Sequence, residues 1–262
     1  MARRAASPCV LIGKSMAKDG GKPSEPQKPR PHSLYVPNHA YNDRMFRIKI
    51  CGITSAADAA HAARAGADAV GLNFFAGCKR CVTQPQAAEI LAALPRGVTK
   101  VGVFVNEEAG VVCRTCDQLG LDWIQLHGDE PPGYLAGLGG RAVLRALRLD
   151  EAAMGPAAQF LADCRRLGTL PQAVLVDTHA PGQFGGTGQP FNWDLLTGQT
   201  DWLGGLPLVL AGGLTPDNVA DAIRRVHPAA VDTASGVERS PGVKEPGLVA
   251  AFVRAAEMSF GR

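Results

Sequence analysis

The chain of 262 residues has no apolar run approaching the roughly 20 residues of a bilayer-spanning helix, which excludes a membrane span as its organising element. Aromatic residues amount to only 6 %, whereas Gly (31 residues) and Ala abound, the composition of a soluble α/β protein with many tight turns. A secretory hydrophobic region is also missing. The seven cysteines (Cys9, Cys51, Cys78, Cys81, Cys113, Cys116 and Cys164) are an odd set in a long chain, so reduced thiols in a cytoplasmic protein are expected rather than a disulfide framework. Nor is there a basic body to meet nucleic acid. Residues 1–44 carry eight Lys/Arg against three acids, so the formal charge of +3 leaves the rest of the chain at −2.

Residues 1–44 hold Pro8, Pro23, Pro26, Pro29, Pro31 and Pro37, scattered basic residues and no sustained periodicity. Such a stretch buries too little apolar surface to offset its ordering entropy, so it is expected to be a disordered extension. Two other readings stay open. One is a targeting peptide, against which the prolines count because they spoil an amphipathic helix. The other is initiation at Met16 or at Met45, the latter directly preceding the first predicted strand. The expected division is an extension over 1–44 and one folded domain over 45–262.

From Arg47 onward, short apolar runs alternate with amphipathic stretches. The pattern predicts strands at Arg47–Cys51, Ala69–Phe74, Lys100–Val105, Trp123–Leu126, Ala142–Ala146, Ala173–Asp177, Leu208–Ala211 and Ala230–Asp232. Helices are predicted at Ala56–Ala65, Gln84–Leu94, Glu108–Leu119, Asp150–Leu167, Pro216–Val226 and Gly247–Glu257. The sixth unit has only a short helical pattern around Trp193–Leu196. Eight β-then-α units imply a parallel sheet, and eight is the number that closes a (β/α)8 (TIM) barrel.

In such a barrel, chemistry sits at the carboxyl ends of the strands. Cys51 ends the first strand, and a thiol there is a candidate general base or nucleophile if its pKa is lowered; the alternative is a buried structural cysteine. Arg80, in the loop after the second strand, offers a planar fork that suits a carboxylate, unless it is simply a solvated surface residue. Asp177 ends the sixth strand as a candidate general acid or a turn-capping carboxylate. Gly185-Gly186-Thr187-Gly188, Gly212-Gly213 and Ser235-Gly236 follow strands six, seven and eight, where backbone amides can cradle a phosphate. Cys78/Cys81 and Cys113/Cys116 have zinc-ribbon spacing, but one pair falls in a mouth loop and the other in an outer helix. No metal site is therefore expected.

Several of these segments resemble phosphoribosylanthranilate isomerases in order and spacing. They are Lys49-Ile50-Cys51-Gly52-Ile53-Thr54, Ala65-Gly66-Ala67-Asp68-Ala69-Val70-Gly71, Val101-Gly102-Val103-Phe104-Val105-Asn106 and Gln125-Leu126-His127-Gly128. Val176-Asp177-Thr178 with Gly185–Gly188, Leu210-Ala211-Gly212-Gly213-Leu214 and Val231–Glu238 continue the likeness to the C-terminus. The resemblance implies an Amadori rearrangement of N-(5′-phosphoribosyl)anthranilate in tryptophan biosynthesis, without metal or cofactor, by a monomer or homodimer. It implies Asp177 as the acid that opens the ribose ring and Cys51 as the base that takes the C2′ proton. Arg80 would hold the anthranilate carboxylate, Gln125, His127 and Asp232 would line the pocket, and Gly185, Gly186, Gly188, Gly212, Gly213, Ser235 and Gly236 would bind the phosphate.

The chain departs from that family's usual pattern at Phe75–Cys81, at Arg145, where a lysine is common, and at Thr233-Ala234. The competing readings are a related phosphosugar isomerase and a barrel that binds phosphorylated ligands without catalysis. The histidine-pathway isomerase uses two aspartates at the ends of strands one and five, whereas Cys51 ends strand one here. Indoleglycerol-phosphate synthase needs a lysine/glutamate set that the sequence lacks. Deleting residues 1–44 is expected to leave catalytic efficiency unchanged, and a large loss on truncation would contradict the extension reading.

Overall fold

The computed structural model describes residues 45–149, 153–177, 193, 196–197 and 200–261. These residues belong to a single compact unit. The expectations for residues 1–44 and for Gly185, Gly186 and Gly188 lie outside the described residues.

Eight parallel strands close into a barrel in chain order: β1 (Ile48–Cys51), β2 (Ala69–Asn73), β3 (Thr99–Phe104), β4 (Trp123–Leu126), β5 (Ala142–Arg148), β6 (Ala173–Asp177), β7 (Leu208–Ala211) and β8 (Ala230–Thr233). Closure comes from β1 pairing with β8, with Lys49 opposite Asp232 and Ile50 opposite Thr233. The (β/α)8 barrel expected from the sequence is the fold. Its strands are near-continuous apolar runs because both faces are covered. On β1, for example, Ile48 and Ile50 face outward into the layer packed against the helices, while Lys49 and Cys51 face inward.

The helices are α1 (Ala56–Arg64), α2 (Gln84–Ala92), α3 (Ala109–Leu119), α4 (Met154–Leu167), α5 (Val219–Val226) and α6 (Pro246–Phe260). Local chemistry sets their ends. Ser55 caps α1 by accepting from Asp58 N–H, and Thr83 forms a capping box with Gln86 at α2. Gly120 and Gly168 close α3 and α4 in the left-handed conformation.

Three local features differ from the sequence reading. Helix α5 begins at Val219 rather than Pro216, because the Asn218 side chain binds Thr215 N–H at 2.8 Å and Gly213 C=O at 3.0 Å and holds 215–218 as a turn. A 3-10 helix over Pro132–Leu138 follows β4, where the glycines Gly133 and Gly137 weaken an α pattern. After β8 the chain makes a one-turn helix, Ser235–Val237, and a small antiparallel ribbon of β9 (Glu238–Ser240) and β10 (Val243–Lys244) before α6.

The barrel interior is apolar at its amino end. Phe46 meets Trp123 edge to face at 5.9 Å, and Ala69, Val101, Ala142, Ala173 and Ala230 complete that layer. Towards the carboxyl ends it turns polar. On the outer side of β5, whose Leu144 and Ala146 point inward, buried Arg145 pairs with buried Glu130, donates to Gly128 C=O at 3.0 Å and lies 4.9 Å over the Phe160 ring. Glu130 in turn accepts from Asn106 N–H at 2.8 Å and Gly128 N–H at 3.1 Å. This unit fixes the turn that carries His127. Glu130→Ala leaves Arg145 without its counter-charge and two amides without their acceptor, and is expected to cost about 3–5 kcal/mol in urea unfolding.

Candidate active site

Strand ends β1, β4, β6, β7 and β8 bring the candidate residues to one rim of the barrel, and two polar groups are built there. The first spans β4 and β6. Gln125 points into the barrel, and its amide nitrogen lies 3.1 Å from His127 Nδ1, while His127 Nε2 lies 3.4 Å from Asp177 Oδ2. With the amide donating to Nδ1, the imidazole proton sits on Nε2 and points at Asp177. Turning the amide over reverses this: Nδ1–H would donate to the amide oxygen, and Nε2 would accept from a protonated Asp177. Gln125 Oε1 is buried without a protein partner in the first arrangement.

The second group surrounds Cys51. Lys49 Nζ donates to Asp232 Oδ1 at 2.8 Å, both groups lying within the barrel. Above them, Glu238 accepts from Arg80 through Nε at 2.8 Å and Nη2 at 2.7 Å. Lys244 Nζ donates to the same carboxylate at 2.8 Å and to Ala234 C=O at 2.9 Å. Burial pushes the Lys49 ammonium down, but Asp232 and Cys51 outweigh it and leave the pKa raised. Burial also opposes ionisation of Glu238, yet Arg80 and Lys244 hold its carboxyl below the usual range. Lys244 is the reverse case, with burial prevailing over Glu238 and lowering it.

Cys51 corrects an expectation. Burial pushes its thiol up, against the pull of Lys49, so the resting thiol is not the lowered one the base role was expected to need. Arg80 is already engaged: its Nε–Nη2 edge is filled by Glu238, which leaves the end of the fork formed by the two terminal nitrogens.

The loops after β7 and β8 are locked together. Gly212 and Gly213 adopt φ of +84° and +65°, and Thr233 Oγ donates to Leu214 C=O at 2.7 Å. A Cβ on Gly236 would sit 1.9 Å from that carbonyl, so only glycine lets the two loops meet. Ser235 and Gly236 thus lie beside the turn that follows Gly212-Gly213.

The family model for N-(5'phosphoribosyl)anthranilate (PRA) isomerase matches residues 48–255. The chain belongs to this family. The N-(5'-phosphoribosyl)anthranilate isomerase of Pelobacter propionicus is 44% identical over 214 residues, covering 81% of this chain and 96% of the relative. That of Acidithiobacillus ferrooxidans is 47% identical over 210 residues, covering 80% and 96%. Among solved structures, phosphoribosyl anthranilate isomerase from Thermotoga maritima superposes with a TM-score of 0.73 at 37% identity, covering 82% of this chain and all of that one. A second, in complex with reduced 1-(o-carboxyphenylamino)-1-deoxyribulose 5-phosphate, gives 0.70 at 35% identity, with 82% of this chain and 100% of that chain covered.

Within this isomerase family fold, Cys51, Arg80, Gln125, His127, Asp177, Asp232, Gly212, Gly213, Ser235 and Gly236 all lie at or just beyond the carboxyl ends of the strands. Lys49, Glu238 and Lys244 carry as much of the local electrostatics, and sequence reading gave them no role. For Lys49, the inward register shared with Cys51 was an available signal. For Lys244, which arrives on a ribbon unseen in the sequence, there was none. The CxxC pairs remain apart, Cys78 and Cys81 in the loop after β2 and Cys113 and Cys116 in α3, and all six described cysteines are free. Among the described residues no helix is long and apolar enough to cross a membrane.

The depressed Glu238 carboxyl contributes stability that is present above its ordinary pKa of 4.5 and is lost as pH falls through the lower folded value. Acid unfolding of Glu238→Gln, followed by circular dichroism, is expected to show a shallower loss of stability below pH 4.5 than the parent chain. Equal slopes for the two proteins would contradict this linkage.

Proposed function

We propose that the protein isomerises N-(5′-phosphoribosyl)anthranilate to 1-(2-carboxyphenylamino)-1-deoxyribulose 5-phosphate, an Amadori rearrangement in tryptophan biosynthesis. The observation that carries this reading is the retention of an acid at the end of β6 and a thiol at the end of β1, facing one barrel mouth. The proposed division places residues 45–262 as the isomerase domain.

Asp177 gives its proton to the ribose ring oxygen. The C1′–O bond then breaks, and the nitrogen lone pair forms a C1′=N iminium. The Gln125–His127 pair supports this role, since Nε2 can stabilise the carboxylate left behind. Cys51 loses its thiol proton to solvent once the iminium has formed, and the resulting thiolate removes the C2′ proton. The C–H electron pair becomes the C1′=C2′ bond, the former C=N pair returns to nitrogen, and the enolamine tautomerises to the ketone. The raised resting thiol is compatible with this order, because the iminium brings a positive charge next to Cys51 only after ring opening. C1′ is reduced and C2′ oxidised within one molecule, by proton transfers alone. The end of the Arg80 fork receives the anthranilate carboxylate, Asp232 lines the pocket, and amides near Gly212, Gly213, Ser235 and Gly236 receive the phosphate.

The test is the change in anthranilate fluorescence on turnover by the purified chain, Cys51→Ala and Asp177→Asn. Turnover by the parent with each variant losing about 10²–10⁴-fold in kcat supports the assignment. Absence of turnover by the folded parent overturns it and favours binding of a phosphorylated ligand without catalysis.

A further inference from the structure

Lys49 has no solvent exposure, and an ammonium in a barrel interior requires compensation on every side. Asp232 accepts one of its three N–H groups. The direction of the others is given by Gly71, which lies opposite Cys51 across β1 and β2. A Cβ added to Gly71 would fall 2.7 Å from Cys51 Sγ and 3.1 Å from both Lys49 Nζ and Cε. The thiol and the ammonium therefore share the space that any side chain on Gly71 would take. Val101, the β3 neighbour of Gly71 in register, brings no charge there.

The charges facing Cys51 are Lys49 from β1, Asp232 from β8, Lys244 from β10, and Arg80 from the loop after β2, with Glu238 of β9 bonded to the last two. Three cations thus stand against two carboxylates. Glu238 is shared between Arg80 and Lys244, and Asp232 holds Lys49 in place. The surplus positive charge is matched when Cys51 ionises.

We propose that Lys49 is a positioning residue for the reaction, its ammonium held by Asp232 as the counter-ion of the Cys51 thiolate. Lys49 acts through the sulfur and does not touch the substrate. As the thiolate takes the C2′ proton, an S–H bond forms, the C2′–H bond breaks, and the ammonium loses its ion partner while keeping Asp232. The catalytic part of this inference rests on the isomerase reading; the thiolate counter-ion part is measurable without substrate.

The test is the pH dependence of Cys51 alkylation by iodoacetamide on the full chain, read from the Cys51 peptide by mass spectrometry. Lys49→Met is expected to move the midpoint up by about one pH unit or more, and Lys49→Arg to move it back towards the parent value. The double variant Lys49→Met/Asp232→Asn removes both charges and so leaves no uncompensated ion. It is expected to fold and to shift the midpoint in the same direction by less. In turnover, the single variant Lys49→Met should lose kcat at neutral pH by about tenfold or more with KM changed little, the shift in thiol pKa setting the scale. A midpoint that does not move in the folded double variant or in folded Lys49→Met overturns the proposal, whatever their turnover. A midpoint that moves while the parent chain fails to turn over substrate retains the counter-ion assignment and overturns the isomerase reading instead.

Discussion

Closure of the barrel between β1 and β8 is the constraint on which the site depends. Residues at opposite ends of the domain, 183 positions apart, meet there as Lys49 and Asp232 at 2.8 Å. A parallel ladder turns alternate side chains inward, so the same register that places Ile48 and Ile50 in the outer apolar layer places Lys49 and Cys51 inside. An ion pair this buried gains little net stability over an apolar pair of the same shape. Its value to the molecule lies in the electrostatic setting it gives the neighbouring thiol.

The interior is divided along the barrel axis. At the amino end Phe46, Trp123 and a layer of small aliphatic residues fill the space and exclude water. At the carboxyl end the small residues Gly71 and Gly236 leave room for charged groups and for two loops to touch. The polar end is held by separate devices on opposite sides: the Glu130–Arg145 unit behind His127, and Glu238 bridging Arg80 and Lys244. Each carboxylate is satisfied by more than one donor, which keeps these groups ordered in a low-dielectric setting.

That arrangement explains why the thiol and the acid have different surroundings. Cys51 faces Lys49 and Lys244, whose charges favour its thiolate, against burial and Asp232, which oppose it. Asp177 faces an imidazole whose partner, Gln125, can present either a donor or an acceptor. Environments that treat two titratable groups differently are what acid and base roles require.

Much of this was legible from sequence. Strands such as Trp123–Leu126, Ala173–Asp177 and Leu208–Ala211 match their predicted limits, because an apolar run bounded by turn residues reports burial directly. The strand-end positions of Cys51, Asp177, Gly212-Gly213 and Ser235-Gly236 were readable because they follow from the count of β/α units. Contacts between distant segments were not. Nothing local to Arg80 signals that Glu238, 158 residues away, occupies one edge of its fork, and nothing local to Cys51 signals that burial raises its thiol. Periodicity is a property of neighbouring residues, so the sequence by itself determined the strands and the class of barrel. Which charges share a cavity depends on closure and register across the whole chain, and only the tertiary structure decided that Lys49, Asp232 and Cys51 form one electrostatic unit.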